Sequence, residues 1–179
     1  MPVEPLHIAV FCVGNNLYLD DGLGPAVYES VLERFDVPAN VDMNDVGCMS
    51  MAMLEAVNDY DVIITVDAVE GTGNPPGTVV RFAPEDMARF SQMRTSLHDL
   101  RLSDLFDAAA LLGYEAQGIC LGMEIENRNP SEFVIGLTPA VYNALPLLVE
   151  TLAAELAHLG SPLISKRTGR AYTGPEKVC

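Results

Sequence analysis

Leu6-His7-Ile8-Ala9-Val10-Phe11-Cys12-Val13 followed by Gly14-Asn15-Asn16-Leu17-Tyr18-Leu19-Asp20-Asp21-Gly22 is the stretch that decides the fold class. A nearly continuous apolar run is the pattern of a strand covered on both faces, as in parallel sheets. The Gly/Asn/Asp turn then leads into residues 23–35, where Val27, Val31, Leu32 and Phe35 recur at helical spacing. Pro25 falls in the first turn of that pattern, where its missing N–H costs nothing. A buried strand that feeds a helix through a short turn is the opening of an α/β fold.

Working outward, residues 40–46 read as a second strand, 50–57 as a short helix and 61–66 as a third strand. The breaker Gly73-Asn74-Pro75-Pro76 introduces a fourth strand at 77–82. A helix starts in 84–90, a longer one covers 102–112, and 118–125 is a fifth strand. Val141, Leu145, Leu148, Leu152 and Leu156 make one stripe of a long helix over 139–159. The alternation predicts an α/β class: a single doubly wound, mostly parallel sheet flanked by helices, in one domain over 1–160. Residues 161–179 are short on apolar side chains, carry Lys166, Arg167 and Arg170, and are expected to form a flexible C-terminal tail.

The chain has 179 residues, 49% of them hydrophobic and 20% charged, which suits one domain with a core of its own. Its 10 basic against 25 acidic residues give a net charge of −15. Such a surface repels nucleic-acid phosphates and anionic lipid, so neither is an expected partner. It attracts cations or a basic peptide segment, or serves solubility alone. No apolar run approaches the ~20 residues a bilayer requires, and no membrane insertion is expected. Met1-Pro2-Val3-Glu4-Pro5 lacks the basic region and apolar stretch of a signal peptide. Cys12, Cys48, Cys120 and Cys179 show no paired spacing, and Cys12 and Cys120 sit in apolar strand-like runs. Buried free thiols in a reducing, cytoplasmic location are the expectation.

Three residues stand out for chemistry. Asp21 ends the first turn, Asp67 ends the run Val62-Ile63-Ile64-Thr65-Val66, and His98 lies in Thr95-Ser96-Leu97-His98-Asp99, which has no apolar periodicity. Brought together, they make a two-oxygen, one-nitrogen set with positions left for water and substrate. The plainer alternative is that Asp20-Asp21-Gly22 caps the following helix and that Asp67 closes a turn. A carboxylate at the end of a buried strand, however, is costly without a cation or hydrogen bonds. His158 falls at a helix C-terminus, where the dipole accounts for it, and His7 begins a strand. Two rival readings use other residues. Cys48 after the second strand, with His98 as base, is a candidate nucleophile. The glycine-rich first turn suggests a nucleotide-binding α/β domain, but it is not G-x-G-x-x-G and its aspartates oppose a phosphate.

Several ordered motifs together resemble a known family, the hydrogenase maturation endopeptidases, which trim the C-terminus of the large subunit of nickel–iron hydrogenase. Val13-Gly14-Asn15 and Leu19-Asp20-Asp21-Gly22-Leu23-Gly24-Pro25 are similar to the family's first strand, loop and helix. Asp45-Val46-Gly47-Cys48 resembles its Asp-Gly-Gly-Thr segment. Val66-Asp67-Ala68, Pro76-Gly77-Thr78, Ser96-Leu97-His98 and Ile135-Gly136-Leu137-Thr138-Pro139-Ala140-Val141 follow in the family's order. The resemblance runs from about residue 6 to residue 159.

The resemblance implies that Asp21, Asp67 and His98 are both the metal-contacting and the catalytic residues, and that Asp45 and Gly47 bind substrate. Many relatives carry glutamate where this chain has Asp21. It also implies a partner, the hydrogenase large subunit precursor, and a metal, nickel, supplied by that precursor, with other divalent ions able to occupy the site in vitro. Cleavage would follow nickel insertion, with the ion either activating water or only fixing register while a carboxylate acts as base. The alternatives in other classes are a non-catalytic nickel-sensing chaperone for the same precursor and the nucleotide-binding domain.

Overall fold

The computed structural model describes residues 5–47, 57–83, 94–95, 102–128 and 130–174. Their elements, in chain order, begin with β1 (Ile8–Val13), a 3-10 turn (Leu19–Gly22), α1 (Leu23–Arg34), β2 (Phe35–Asp36) and β3 (Val41–Gly47). They continue with β4 (Val62–Glu70), β5 (Val79–Phe82), β6 (Arg94–Thr95), α2 (Leu102–Leu111), β7 (Gln117–Glu124), α3 (Pro139–His158) and β8 (Ile164–Ser165). The main sheet has the order β3-β1-β4-β7-β5, with β6 paired to β4. β3, β1, β4 and β7 are mutually parallel, whereas β5 runs antiparallel to β7. The expected mostly parallel sheet flanked by helices is therefore the architecture found. The short helix expected over 50–57 and the one starting in 84–90 lie outside the described residues, apart from Val57.

Alternation along the strands divides the core in two. Ile8, Val10 and Cys12 of β1, with Val62, Ile64 and Val66 of β4, face the layer formed by α1 and α3. Ala9, Phe11 and Val13, with Ile63 of β4, face the other side, where Ala109 of α2 packs. Both faces of β1 are thus buried, which is why its sequence shows no polar alternation. Each fully buried Leu, Ile or Val contributes roughly 1.5–3 kcal/mol relative to exposure.

α3 has 20 residues, and an 18-residue stretch of it has a mean hydropathy of 1.2, long and apolar enough to cross a membrane by those measures alone. Val141, Leu148, Val149, Leu152, Ala153 and Leu156 nevertheless build one of its faces into the core, so it packs here as an amphipathic core helix.

The flexible tail expected from residue 161 is corrected as far as residue 174. Leu163 and Tyr172 are buried, and β8 pairs antiparallel with β2 through Phe35–Ser165 and Asp36–Ile164. Tyr172 N–H donates to Leu163 O, and the Tyr172 ring meets Phe35 edge-on at 6.2 Å. Two apolar anchors nine residues apart pin a segment whose intervening residues 165–170 carry no apolar side chain, a pattern that average composition hides.

Strand order reverses at β1. The chain leaves β1 through α1 to reach β3 on one side, then returns to β4 on the other. The crevice beyond the carboxyl ends of β1 and β4 is therefore the ligand-binding position of this topology.

Candidate active site

Two glycines fold the first turn back over the end of β1. Gly14 has φ 145°, and a Cβ there would lie 2.0 Å from the carbonyl oxygen of Asp21. Asn15 N–H donates to that same carbonyl at 3.0 Å. A Cβ on Gly24 would lie 2.1 Å from Val13 O, so the first turn of α1 rests directly on the end of β1. Leu19 carries a positive φ of 51°, unusual for a branched side chain, and its N–H donates to Val134 O at 2.7 Å. That strained residue, held by the loop before α3, turns the next two aspartates inward.

Asp20 is structural. Its carboxylate is buried and accepts from Glu126 N at 3.1 Å, Asn127 N at 3.0 Å, Thr138 N at 2.7 Å and the Thr138 hydroxyl at 2.9 Å. One side chain thus fastens the first turn to the connection between β7 and α3. Neither Asp20 nor Asp21 caps α1, whose N-cap is Gly22 with no side-chain cap bond.

Asp21 and Asp67 reach the same edge of the sheet from different directions. Asp67 does not end its strand as expected: β4 continues to Glu70, and Asp67 pairs with Gly122 of β7. It nevertheless lies past the last β1 partner, since pairing of β1 with β4 stops at Cys12–Val66. The 3-10 turn carrying Asp21 packs against β4. Both carboxylates are set deeper than an open crevice would leave them, at 2% exposure for Asp21 and 8% for Asp67. Burial of charge at this depth requires compensation from opposite charge and hydrogen bonds.

Part of that compensation is Arg128, which the sequence reading missed. Its side chain is only 4% exposed, and it stands 3.5 Å from Asp21 Oδ1 and 3.1 Å from Glu70 Oε2. It also donates to Ala68 O, the carbonyl following Asp67, at 2.7 Å. The available signal was chemical. Arg128 is the sole Lys or Arg between Arg101 and Lys166 of an acidic chain, placed four residues after the end of a predominantly apolar strand.

Asp45 and Gly47 meet the site from β3. Asp45 Oδ1 accepts from Gly47 N at 3.2 Å, and Gly14 N donates to Gly47 O at 2.9 Å. The register of β1 against β3 shifts here, so that Cys12 faces Asp45 while Val13 faces Gly47, and Val46 is the extra residue of a bulge. Asp45, Gly47, Gly14, Asn15, Asn16 and Pro25 line a cleft of about 230 Å³. The two residues expected to bind substrate therefore share a concavity with the loop that leads to Asp21.

His98 and Cys48 lie outside the described residues. Among the described residues, no group of three or more His, Cys, Asp or Glu side chains is arranged to hold a metal ion. His7 is occupied at the opposite edge of the sheet: its ring nitrogens meet Asp59 O at 2.8 Å and Asp42 Oδ2 at 3.2 Å. His158 falls in the last turn of α3. Cys120 is buried and Cys12 is a buried free thiol, and burial, with Asp45 nearby, pushes the Cys12 thiol up to about 12. A larger cavity, about 1100 Å³, lies at the far end of α1. Arg34 and Lys166 in its lining are held by Glu150 and by Leu32 O, and it contains neither member of the carboxylate pair.

Fold and site together define an open α/β protein that gathers carboxylates where its strand order reverses, a type of site suited to cations and to water activation. Comparison with known proteins narrows the class. Residues 25–155 match the family model for hydrogenase maturation protease, and the chain belongs to that family. It is 29% identical over 162 residues to the Hydrogenase 2 maturation protease of Escherichia coli (strain K12), spanning 90% of this chain and 97% of that one. It is also 29% identical over 193 residues to the hydrogenase expression/formation protein HupD of Thiocapsa roseopersicina, spanning 97% and 86%. Among solved structures, the hydrogenase maturating endopeptidase HybD from E. coli superimposes with a TM-score of 0.80 at 28% identity, covering 90% of this chain and 99% of that one. The enzyme class is endopeptidase, of the hydrogenase maturation type.

Proposed function

We propose that this chain removes the C-terminal extension of the large subunit precursor of a nickel–iron hydrogenase, in the cytoplasm, and only after nickel has been inserted. The observation that carries the reading is the meeting of Asp21 and β4 at the strand-order reversal. It puts the Asp21 carboxylate 3.5 Å from the same guanidinium that binds the carbonyl after Asp67. Membership of the family supports the reaction class.

The donor chemistry suits a divalent ion. Asp21 and Asp67 offer oxygen donors, and His98 is assigned as the imidazole that completes the set. When bound there, an ion supplies Lewis acidity at the scissile carbonyl. In this reading Asp21 and Asp67 orient the attacking water, and one of them accepts its proton. Asp45 and Gly47, with Gly14 and Asn15, receive the backbone of the precursor in the 230 Å³ cleft. Nickel arrives as part of the substrate, so binding reports whether the precursor has been loaded.

The test is to incubate the protein with nickel-loaded and nickel-free precursor and to weigh the products by mass spectrometry. Shortening of the loaded form alone is expected. Stable binding without shortening would replace the peptidase by a nickel-sensing chaperone, and equal shortening of both forms would remove the nickel requirement.

A further inference from the structure

We propose that Arg128 is a counter-cation built into the site, which holds Asp21 against β4 and competes with a divalent ion for that carboxylate. The inference rests on the reading of Asp21 as a ligand and adds a residue that the reading does not contain.

A guanidinium that is 4% exposed is held only where several acceptors surround it. The contacts of Arg128 are unequal. Ala68 O at 2.7 Å and Glu70 Oε2 at 3.1 Å are close, and both belong to β4, whereas Asp21 Oδ1 is the more distant at 3.5 Å. The cation is therefore anchored on the strand that carries Asp67 and leans on the carboxylate that comes from the first turn. Two consequences follow. Asp21 is held toward β4 while the site is at rest, because an adjacent cation stabilises a buried carboxylate. A divalent ion that binds Asp21 must approach a fixed positive charge a few ångströms away, and like charges at that range oppose one another strongly in a partly dry site.

Glu70 tunes the balance. Its carboxylate draws the guanidinium along β4 and away from Asp21, so the pair Arg128–Glu70 sets how much positive charge an incoming ion meets. The free protein consequently discriminates against loosely held ions in solution. An ion presented within a docked precursor brings further ligands and overcomes the opposition.

The experiment is calorimetric titration of the full chain with Cd²⁺ and, separately, Ni²⁺, comparing wild type with four variants whose folding is checked by circular dichroism. Arg128→Met is expected to bind the ion about tenfold tighter or more than wild type, because the opposing charge is gone. Arg128→Lys, which keeps the charge, is expected to stay within about threefold of wild type. Glu70→Gln is expected to weaken binding by about tenfold, since no Glu70 charge then draws the cation away from Asp21. Arg128→Met that binds no tighter than wild type overturns the proposal. Should that variant fail to fold, Glu70→Gln decides, and unchanged or tighter binding by it overturns the proposal. Asp21→Asn separates the two levels: unchanged ion binding by this variant defeats the ligand reading itself. Weakened binding by Asp21→Asn beside an unaltered Arg128→Met defeats the role of Arg128 alone.

Discussion

Gly14 and Asp21 are in backbone contact across the first turn, with the Asp21 carbonyl oxygen 2.0 Å from the place a Gly14 side chain would occupy. They are seven positions apart in sequence, yet this approach is what lays Asp21 over the end of β1. The glycine is required twice, for its φ of 145° and for the missing Cβ.

Gly14→Ala should therefore lower stability by about 3 kcal/mol or more, since it combines an unfavourable backbone conformation with a backbone clash. Urea unfolding followed by circular dichroism measures it. A loss below about 1 kcal/mol would mean that the turn relaxes easily and that Asp21 is not held by it.

Asp20→Asn should destabilise the fold by about 2–4 kcal/mol, because either orientation of the amide turns its NH₂ toward donors that now point at oxygen. The same measurement applies. The expected loss exceeds that of Asp21→Asn, whose side chain makes none of these loop contacts.

Asp67→Asn should abolish processing of the loaded precursor while leaving the unfolding midpoint near that of wild type, because the amide fills the same volume and removes the charge. Asp21→Glu should retain activity, since it keeps the oxygen donor and adds one methylene. Mass spectrometry of the precursor reads both. An unfolded Asp67→Asn variant would make the residue a structural one.

Stability should fall in acid through one identifiable pair. Arg81 binds Glu155 through two bonds, at 2.8 and 2.9 Å, and holds the Glu155 carboxyl below its usual 4.5. A carboxyl whose folded pKa is depressed stabilises the protein above the unfolded value, and that contribution is lost as pH drops from about 4.5 through the lower folded value. Glu155→Gln should lose stability at neutral pH and show a flatter dependence below about pH 4.5 than wild type. Urea midpoints measured across that range give the difference curve. Arg81 is half exposed, so solvent screening keeps the effect modest.

The order of strands and helices was legible because the strands that matter are buried on both faces. Continuous apolar runs such as Ile8–Val13 leave little else for the chain to do. Asp67 was legible as a candidate for the converse reason: a carboxylate at the end of an apolar run has no place in a core without a chemical reason, whereas Asp21 was legible only as the end of the turn that follows the first buried strand. What stayed hidden depended on contacts between segments distant in sequence. Residues 161–174 looked like a tail because composition cannot reveal that Leu163 and Tyr172 reach the core. The end of β4 was misplaced because the continuation Ala68-Val69-Glu70 is stabilised by β6 and β7, partners that no local pattern announces.

The amino-acid order by itself determined that this is an α/β chain with one carboxylate in the turn after its first buried strand and another at the end of a later apolar run, since hydrophobic period and turn chemistry act over a few residues. Only the tertiary structure decided that Asp20 is a fastening and Asp21 a neighbour of Arg128, because charges that lie more than a hundred residues apart in the chain become partners only when strand order has been chosen. Adjacent, identical side chains in Asp20-Asp21 thus take different roles from the direction in which one strained turn points them.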